Sequence, residues 1–324
     1  MENQAVTKKI QEVAKKLLSE GKVSCVIGFE KGTVPMRERP YFAYTPEEAD
    51  KLIWTSFCCN NLANFLIRRN LGDAGKVAIV AQGCVSRNIV GLIKENQITR
   101  DQVFIIGVPS PGMLDRNKIQ EKVGASKVIT EVVEDGTELL VKGRDFEERI
   151  PRKKVMRNNC YTCVQRNPVI VDELIGEESA PSTHGGNIDN VAAPWEKLAV
   201  DKRWEAFAEN YKDCIRCYAC RDACPLCYCH VCFVDEAMPQ WCGKTQDQSD
   251  VATYHILRAF HCAGRCTDCG ACESACPMGI KVRRLTSKIE KDIRQMYDYT
   301  PGMDLESTPP MSVFKPDDPQ EFIK

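Results

Sequence analysis

The stretch CIRCYACRDACPLCYCHVC, residues 214–232, holds seven of the nineteen cysteines in the chain. Its first part reads Cys214-x2-Cys217-x2-Cys220-x3-Cys224-Pro225, and the same run returns as Cys266-x2-Cys269-x2-Cys272-x3-Cys276-Pro277. This spacing is the bacterial-type ligand run for [4Fe-4S] clusters. Three thiolates two residues apart can wrap one iron–sulfur cube, because the backbone between them turns tightly and aims its N–H groups at the sulfides. The fourth cysteine is too far along to close the same cube and ligates the other one. The expected sets are therefore Cys214, Cys217, Cys220 and Cys276 for one cluster, and Cys266, Cys269, Cys272 and Cys224 for the other. Zinc sites also use C-x2-C pairs, but they call for neither the third cysteine, the x3 step nor the proline. Ala219, Ala223, Gly270 and Ala271 are small enough to let backbone approach a cube. Ile215, Tyr218 and Ile280 are placed to exclude water, which tunes the potential.

The other cysteines leave more open. Cys227, Cys229, Cys232, Cys242 and Cys262 lie in a long insertion between the two runs. They fit a further metal site or, the reading we favour, small buried residues packed beside the clusters. Cys160 and Cys163 form a C-x2-C pair in a basic, irregular segment. Cys84 follows a buried strand, and Cys58 and Cys59 begin the helix expected after IWTS. Loops gathered at one sheet edge can bring distant ligands together, so these five are candidates for a third [4Fe-4S] cluster, with Cys84, Cys160 and Cys163 foremost. Arg87, Arg152, Lys153, Lys154 and Arg157 would favour thiolates there. The alternative is that Cys58 and Cys84 are buried small residues and the pair is vestigial.

Other chemistry is not visible. There is no nucleophile–base arrangement, no Walker loop and no molybdopterin signature, and His184, His230, His255 and His261 form no zinc-protease pattern. Clusters without a substrate site make a wire, and a wire needs partners at both ends. A flavin enzyme in its own right is the competing reading, although no G-x-G-x-x-G supports a Rossmann mode. The basic stretch RIPRKKVMRNN is the sole support for nucleic-acid binding, and a net charge of -1 argues against it.

The elements that must position these residues alternate in the first part of the chain. Gln11–Leu18 has helical apolar spacing, and residues 22–29 form a short β-branched apolar run. EEADKLIWTS and NNLANFLIRRNLG read as helices, the second capped by Gly72. KVAIVAQGC and DQVFIIGVPSPGM are buried-strand patterns either side of the amphipathic SRNIVGLIKENQI. SKVITEVVE and TELLVKG are further strands. The expected class is α/β: an N-terminal mostly parallel sheet with flanking helices, followed by a C-terminal helical dicluster ferredoxin domain. We expect an α/β domain at 1–176, a linker at 177–200, the ferredoxin domain with its inserted Cys-rich loop at 201–298, and an extended tail at 299–324. The charged helix at 281–297 and the proline-bearing tail are candidate docking elements.

With 324 residues the chain can bury at least one sizeable core. No apolar run reaches the roughly 18 residues of a membrane span, and the N-terminus lacks a signal-peptide core. A cytoplasmic protein is expected, where thiols stay reduced and metal ligation explains so many cysteines better than disulfides do.

CIRCYACRDACPLCYCHVC and CTDCGACESACPMGI resemble the C-terminal ferredoxin part of formate dehydrogenase beta subunits from methanogens. GKVAIVAQGCVSRNIVGLIKE, VFIIGVPSPGM and NCYTCVQRNPVIVDELIGE resemble, more loosely, the N-terminal half of the same family: the beta subunits of deazaflavin-reducing hydrogenases and formate dehydrogenases. The resemblance covers about residues 10–285. It implies iron–sulfur clusters, a third cluster in the N-terminal half, FAD in many members, and electron transfer between a catalytic subunit and a soluble carrier. Partners would be a dehydrogenase or hydrogenase subunit or a heterodisulfide-reductase-like subunit. Two departures stand out. The family's longer glycine-rich flavin segment is absent, and Ser110 stands where the family's turn usually carries a cysteine.

Overall fold

The structure is a computed structural model that describes residues 2–68, 75–181 and 189–310. Gly72, His184 and the tail beyond residue 310 lie outside the described residues. Helix α1 (Glu2–Ser19) is followed by β1 (Cys25–Glu30), β2 (Arg39–Ala43), α2 (Asn64–Arg68), β3 (Val77–Ala81), α3 (Gly83–Lys94) and β4 (Val103–Gly107). Then come α4 (Arg116–Val123), β5 (Ile129–Asp135), β6 (Glu138–Gly143), β7 (Glu147–Pro151), α5 (Asn158–Tyr161) and β8 (Glu173–Leu174). The C-terminal half is helical: α6 (Asp189–Glu196), α7 (Val200–Tyr211), α8 (Ala219–Asp222), α9 (Gln248–His261), α10 (Ala271–Ala275) and α11 (Arg283–Tyr297).

Five strands form one sheet in the order β2-β1-β3-β4-β8. β1–β3, β3–β4 and β4–β8 pair in parallel, and β2 lies antiparallel on the edge, where Pro40 costs no ladder bond to a further strand. β3 is buried along its whole length, as a strand covered on both faces must be. α3 covers it with Val85, Ile89 and Leu92.

The expected mostly parallel sheet is corrected here. β5, β6 and β7 do not join it; they make a separate antiparallel sheet, so parallel and antiparallel pairings are equal in number over the two sheets. The reason is the turn. Between β5 and β6 lie only Gly136 and Thr137, with Gly136 at φ +60, the geometry of a II′ hairpin. A two-residue loop permits only antiparallel return. Alternating burial along β5 leaves one face to solvent.

Two further expectations change. EEADKLIWTS is not a helix beyond the single turn Glu48–Lys51; Ile53 instead bridges to Phe29 of β1. The expected linker contains α6, whose Glu196 pairs with Lys291 of α11 at 2.5 Å. α11 also packs on α9 and buries Ile289 and Ile293, so the apolar face of this charged helix is already covered within the chain. The first part of the tail lies on α3, where the Pro301 carbonyl accepts from Arg87 Nε at 3.1 Å and Nη2 at 2.7 Å. No helix among the described residues is long and apolar enough to cross a membrane.

Candidate metal centres

The two cysteine runs fold as repeats of one another. At the third and fifth positions of each, the backbone is left-handed: Arg216 and Tyr218 at φ 51 and 59, Asp268 and Gly270 at φ 57 and 68. A short helix starts at the next residue in both, α8 at Ala219 and α10 at Ala271, and the two helices pack together. A non-glycine residue in this region costs about 1–2 kcal/mol, so three such residues require outside support. Arg216 donates to the Thr245 carbonyl at 2.7 Å and to Tyr218 Oη at 2.8 Å. The Asp268 carboxylate accepts from Arg283 Nη2 at 2.6 Å. Gly270 has no room for a side chain, since a Cβ would stand 2.6 Å from the Asn159 amide.

These turns gather thiols into two cavities. Cys214, Cys217, Cys220 and Cys276 line one. Cys224, Cys266, Cys269 and Cys272 line the other, together with Cys262 and Arg258. The last cysteine of each run thus faces the cavity of the opposite run. Tyr218 and Ile280 wall the first cavity, and Ile215 borders it while half exposed.

Helix α9 contributes a layer behind the thiols. Tyr254 Oη lies 3.2 Å from Cys220 Sγ and His255 Nε2 lies 3.3 Å from Cys214 Sγ. Arg258 donates through Nη2 to the Cys220 carbonyl at 3.0 Å. Sequence reading treated His255 as an isolated histidine and missed this face. Its signal was there: Val251, Tyr254, His255, Arg258 and Cys262 recur at helical spacing.

Arg258 tests whether the site fits a cluster. It is 4% exposed, its Nε has no partner, and among the described residues no carboxylate pairs with it. A buried guanidinium with nothing opposite costs several kcal/mol. Thiolates of Cys262, Cys224, Cys272 and Cys220 would supply the missing negative charge. Burial pushes the Cys214, Cys266, Cys269 and Cys272 thiols up and so disfavours the thiolates that would balance the guanidinium, whereas hydrogen bonds from Cys224 and Cys227 hold the Cys262 thiol well below its usual range. Cluster ligation, which requires thiolates, resolves the imbalance. An all-sulfur donor set with a buried cation behind it suits iron–sulfur ligation.

A third group forms at the edge of the main sheet. Cys84, in the first turn of α3, Cys160 of α5 and Cys163 line a cavity of about 330 Å³, with Ser110, Arg87 and Arg166 also on its wall. The chain is tight here: a Cβ on Gly83 would stand 2.5 Å from the Gln165 carbonyl and 2.9 Å from that of Asn167. Ser110 accepts from Gly112 N–H at 3.1 Å. Cys266 and Asp268 line this cavity and the second one, so the two share a wall.

Cys58 and Cys59 are not brought to the cavity. Cys58 is buried in the apolar core, where Thr55 N–H donates to its sulfur at 3.3 Å and burial drives its thiol far up. Cys59 Sγ donates to the Leu114 carbonyl at 3.5 Å, and burial pushes it up to about 11. Of the basic residues expected nearby, Arg87 lines the cavity and Arg157 is buried between Cys59 and Gly270, donating to both carbonyls at 3.0 Å. Lys153 and Lys154 face solvent, and Arg152 is held by Glu134 at 3.3 Å.

The inserted cysteines do not act as one group. Cys229 is exposed, Cys232 is half-buried, and Cys242 accepts from Arg216 Nη2 at 3.3 Å. Cys227 and Cys262 differ: their sulfurs and that of Cys224 all lie within 4.8 Å of one another.

No protein-family model matches the chain. The F420-dependent formate dehydrogenase subunit beta of Methanocaldococcus jannaschii is 24% identical over 356 aligned positions, covering 92% of this chain and 92% of that protein. The F420-dependent formate dehydrogenase 1 subunit beta of Methanococcus maripaludis is 27% identical, covering 91% of this chain and 90% of its own length. A chain in the structure of the xenon-derivatised F420-reducing [NiFe] hydrogenase complex from Methanosarcina barkeri superposes with a TM-score of 0.39 at 17% identity, over 51% of this chain and 63% of that one. A likeness that weak decides nothing about the fold. Along most of its length, the chain is a relative of the beta subunits of F420-dependent formate dehydrogenases, the family its sequence resembles.

Proposed function

We propose that this chain is an electron-transfer subunit of a multi-subunit cytoplasmic oxidoreductase, carrying two [4Fe-4S] clusters in a ferredoxin-like unit at 201–298 and a third beside the α/β unit at 1–176. The observation that carries the reading is the crossed arrangement of thiols. Cys214, Cys217, Cys220 and Cys276 share one cavity, and Cys224, Cys266, Cys269 and Cys272 share the other. When bound, each cluster would supply one-electron redox chemistry. The protein holds the thiolates, excludes water with Tyr218, Tyr254 and Ile280, and balances their charge with Arg258.

The third cluster would use Cys84, Cys160 and Cys163, without Cys58 or Cys59. Three thiols need a fourth ligand, and Ser110 is the residue at hand where the family resemblance places a cysteine. The shared walls support an order for such a wire. The third cavity adjoins the second through Cys266 and Asp268, and the second adjoins the first through Arg258 and Cys220. Electrons would enter at one end and leave at the other, towards a catalytic dehydrogenase or hydrogenase subunit, a heterodisulfide-reductase-like subunit, or a soluble carrier. The relatives' names, which place them within formate dehydrogenases, support such partners.

A second reading, a flavin-bearing subunit that reduces a soluble carrier, draws on the arginines around the 330 Å³ cavity. Arg87, Arg166 and Arg294 could meet the phosphates of FAD. Anaerobic purification separates the two. A brown protein with about four irons per cluster, no flavin absorbance and co-purifying redox subunits supports the relay. Stoichiometric flavin released on denaturation favours the second reading, and a colourless protein with stoichiometric zinc overturns both.

A further inference from the structure

The second cavity has one thiol more than a [4Fe-4S] cluster has irons. Besides Cys224, Cys266, Cys269 and Cys272, it is lined by Cys262, which the spacing of the two runs assigns to nothing. Cys262 is 4% exposed at the C-terminal end of α9, with its N–H bonded to the Ala259 carbonyl at 3.1 Å. Its sulfur lies within 4.8 Å of both Cys224 and Cys227. Thiolates on different irons of one cube stand farther apart than that. Cys224 and Cys262 therefore cannot occupy separate corners, but both can reach the same one.

We propose that Cys224 and Cys262 are alternative ligands for one iron of the second cluster, with Cys227 behind them as the thiol that partners whichever sulfur is off the iron. This rests on the two-cluster reading above. The step is a ligand exchange with no change of redox state. One Fe–S bond to Cys224 breaks, one to Cys262 forms, and the proton of the incoming thiol passes to the outgoing thiolate. Cys262 is buried and Cys224 and Cys227 are half-buried within 4.8 Å of it, which favours this over loss of the iron, because no water or external thiol is needed to fill the corner. Arg258, which lines the same cavity, balances the thiolate in either arrangement. The first cavity has no such spare: its thiols are the four assigned by spacing, and its neighbours on α9 are Tyr254 and His255.

The test uses the full chain, purified anaerobically, with iron counting and EPR of oxidised and reduced samples. Cys224→Ala is expected to keep the iron content of the unchanged protein, with a shifted second-cluster spectrum and no [3Fe-4S] signal. Cys224→Ala combined with Cys262→Ala is expected to lose about one iron, or the whole second cluster of about four. The first-cluster signal serves as the control for folding, and Cys276→Ala gives the comparison site without a reserve thiol. A [3Fe-4S] signal or iron loss in Cys224→Ala alone overturns the exchange, as does a stoichiometric zinc that Cys262→Ala removes. Absence of clusters from the unchanged protein overturns the underlying reading instead, so the two failures are distinct.

Discussion

Replacing Arg258 by leucine should lower the potentials of both ferredoxin-like clusters. The guanidinium lines the second cavity and bonds the carbonyl of Cys220, whose thiol lines the first. Reduction adds one negative charge to a cube. At about 5–8 Å and an effective dielectric near 20, a unit positive charge stabilises that electron by roughly 2–3 kcal/mol. For a one-electron couple this is on the order of 100 mV. Both midpoint potentials should therefore fall, by about that amount for the cluster nearer Arg258. Arg258→Lys keeps the charge and should restore most of the shift, although the bond to the carbonyl is remade less well. Spectroelectrochemical titration followed by EPR measures both clusters separately. Potentials unchanged within about 20 mV in Arg258→Leu, with both clusters present, would refute the claim that this buried cation exists to balance cluster charge. Equal shifts in the leucine and lysine variants would assign the effect to packing.

Three further outcomes follow from particular contacts. Gly83→Ala places a Cβ against two backbone carbonyls of the segment that carries Cys163, so it should cost on the order of 1–3 kcal/mol and preferentially deplete the third cluster, seen as a selective loss of about four irons. Glu95→Ala strands Arg265 and Tyr228, which bond its carboxylate at 2.6 and 2.7 Å, and should destabilise the chain by about 3 kcal/mol in thermal unfolding; a change under about 0.5 kcal/mol would mean that α3 and the cysteine-rich half are held elsewhere. Ending the chain at Asp298 removes the docked Pro301 and Tyr299 from α3 and should lower the melting temperature; an unchanged melting temperature would mean that these contacts carry no stability.

The grouping of Cys214, Cys217 and Cys220 in one cavity and of Cys266, Cys269 and Cys272 in another was legible because it is local: two residues between thiols bring three of them to one turn. The buried strands β3 and β4 were legible for the same reason, since covered parallel strands need unbroken apolar runs. The layer behind the thiols was not. Tyr254 and His255 reach cysteines 34 and 41 residues away, and no local pattern states which face of α9 will meet them. Cys58 and Cys84 show the same limit. Cys58, expected to begin a helix, sits in a turn six residues before α2 and the core closes over it, while Cys84, expected to follow a buried strand, lies in the first turn of α3 at the sheet edge and lines a cavity. The basic segment misled in part: Arg157 turns inward to two carbonyls, and Lys153 and Lys154, a few residues earlier, turn out. The separate antiparallel sheet had its signal in Gly136-Thr137, a two-residue Gly-X loop between β5 and β6 whose hairpin meaning went unused in the expected mostly parallel sheet.

The central claim is that each cluster is held by both cysteine runs, and one substitution tests it most directly. Cys276→Ala lies in the second run, but its thiol faces the cavity of the first. In the full chain, purified anaerobically, Mössbauer and EPR spectra should show damage confined to the cluster held by Cys214, Cys217 and Cys220, which becomes [3Fe-4S] or is lost, while the cluster of Cys266, Cys269 and Cys272 keeps its spectrum. Damage to the Cys266, Cys269 and Cys272 cluster with the other intact would contradict the crossed arrangement, and unaltered spectra for both would remove Cys276 from the ligands.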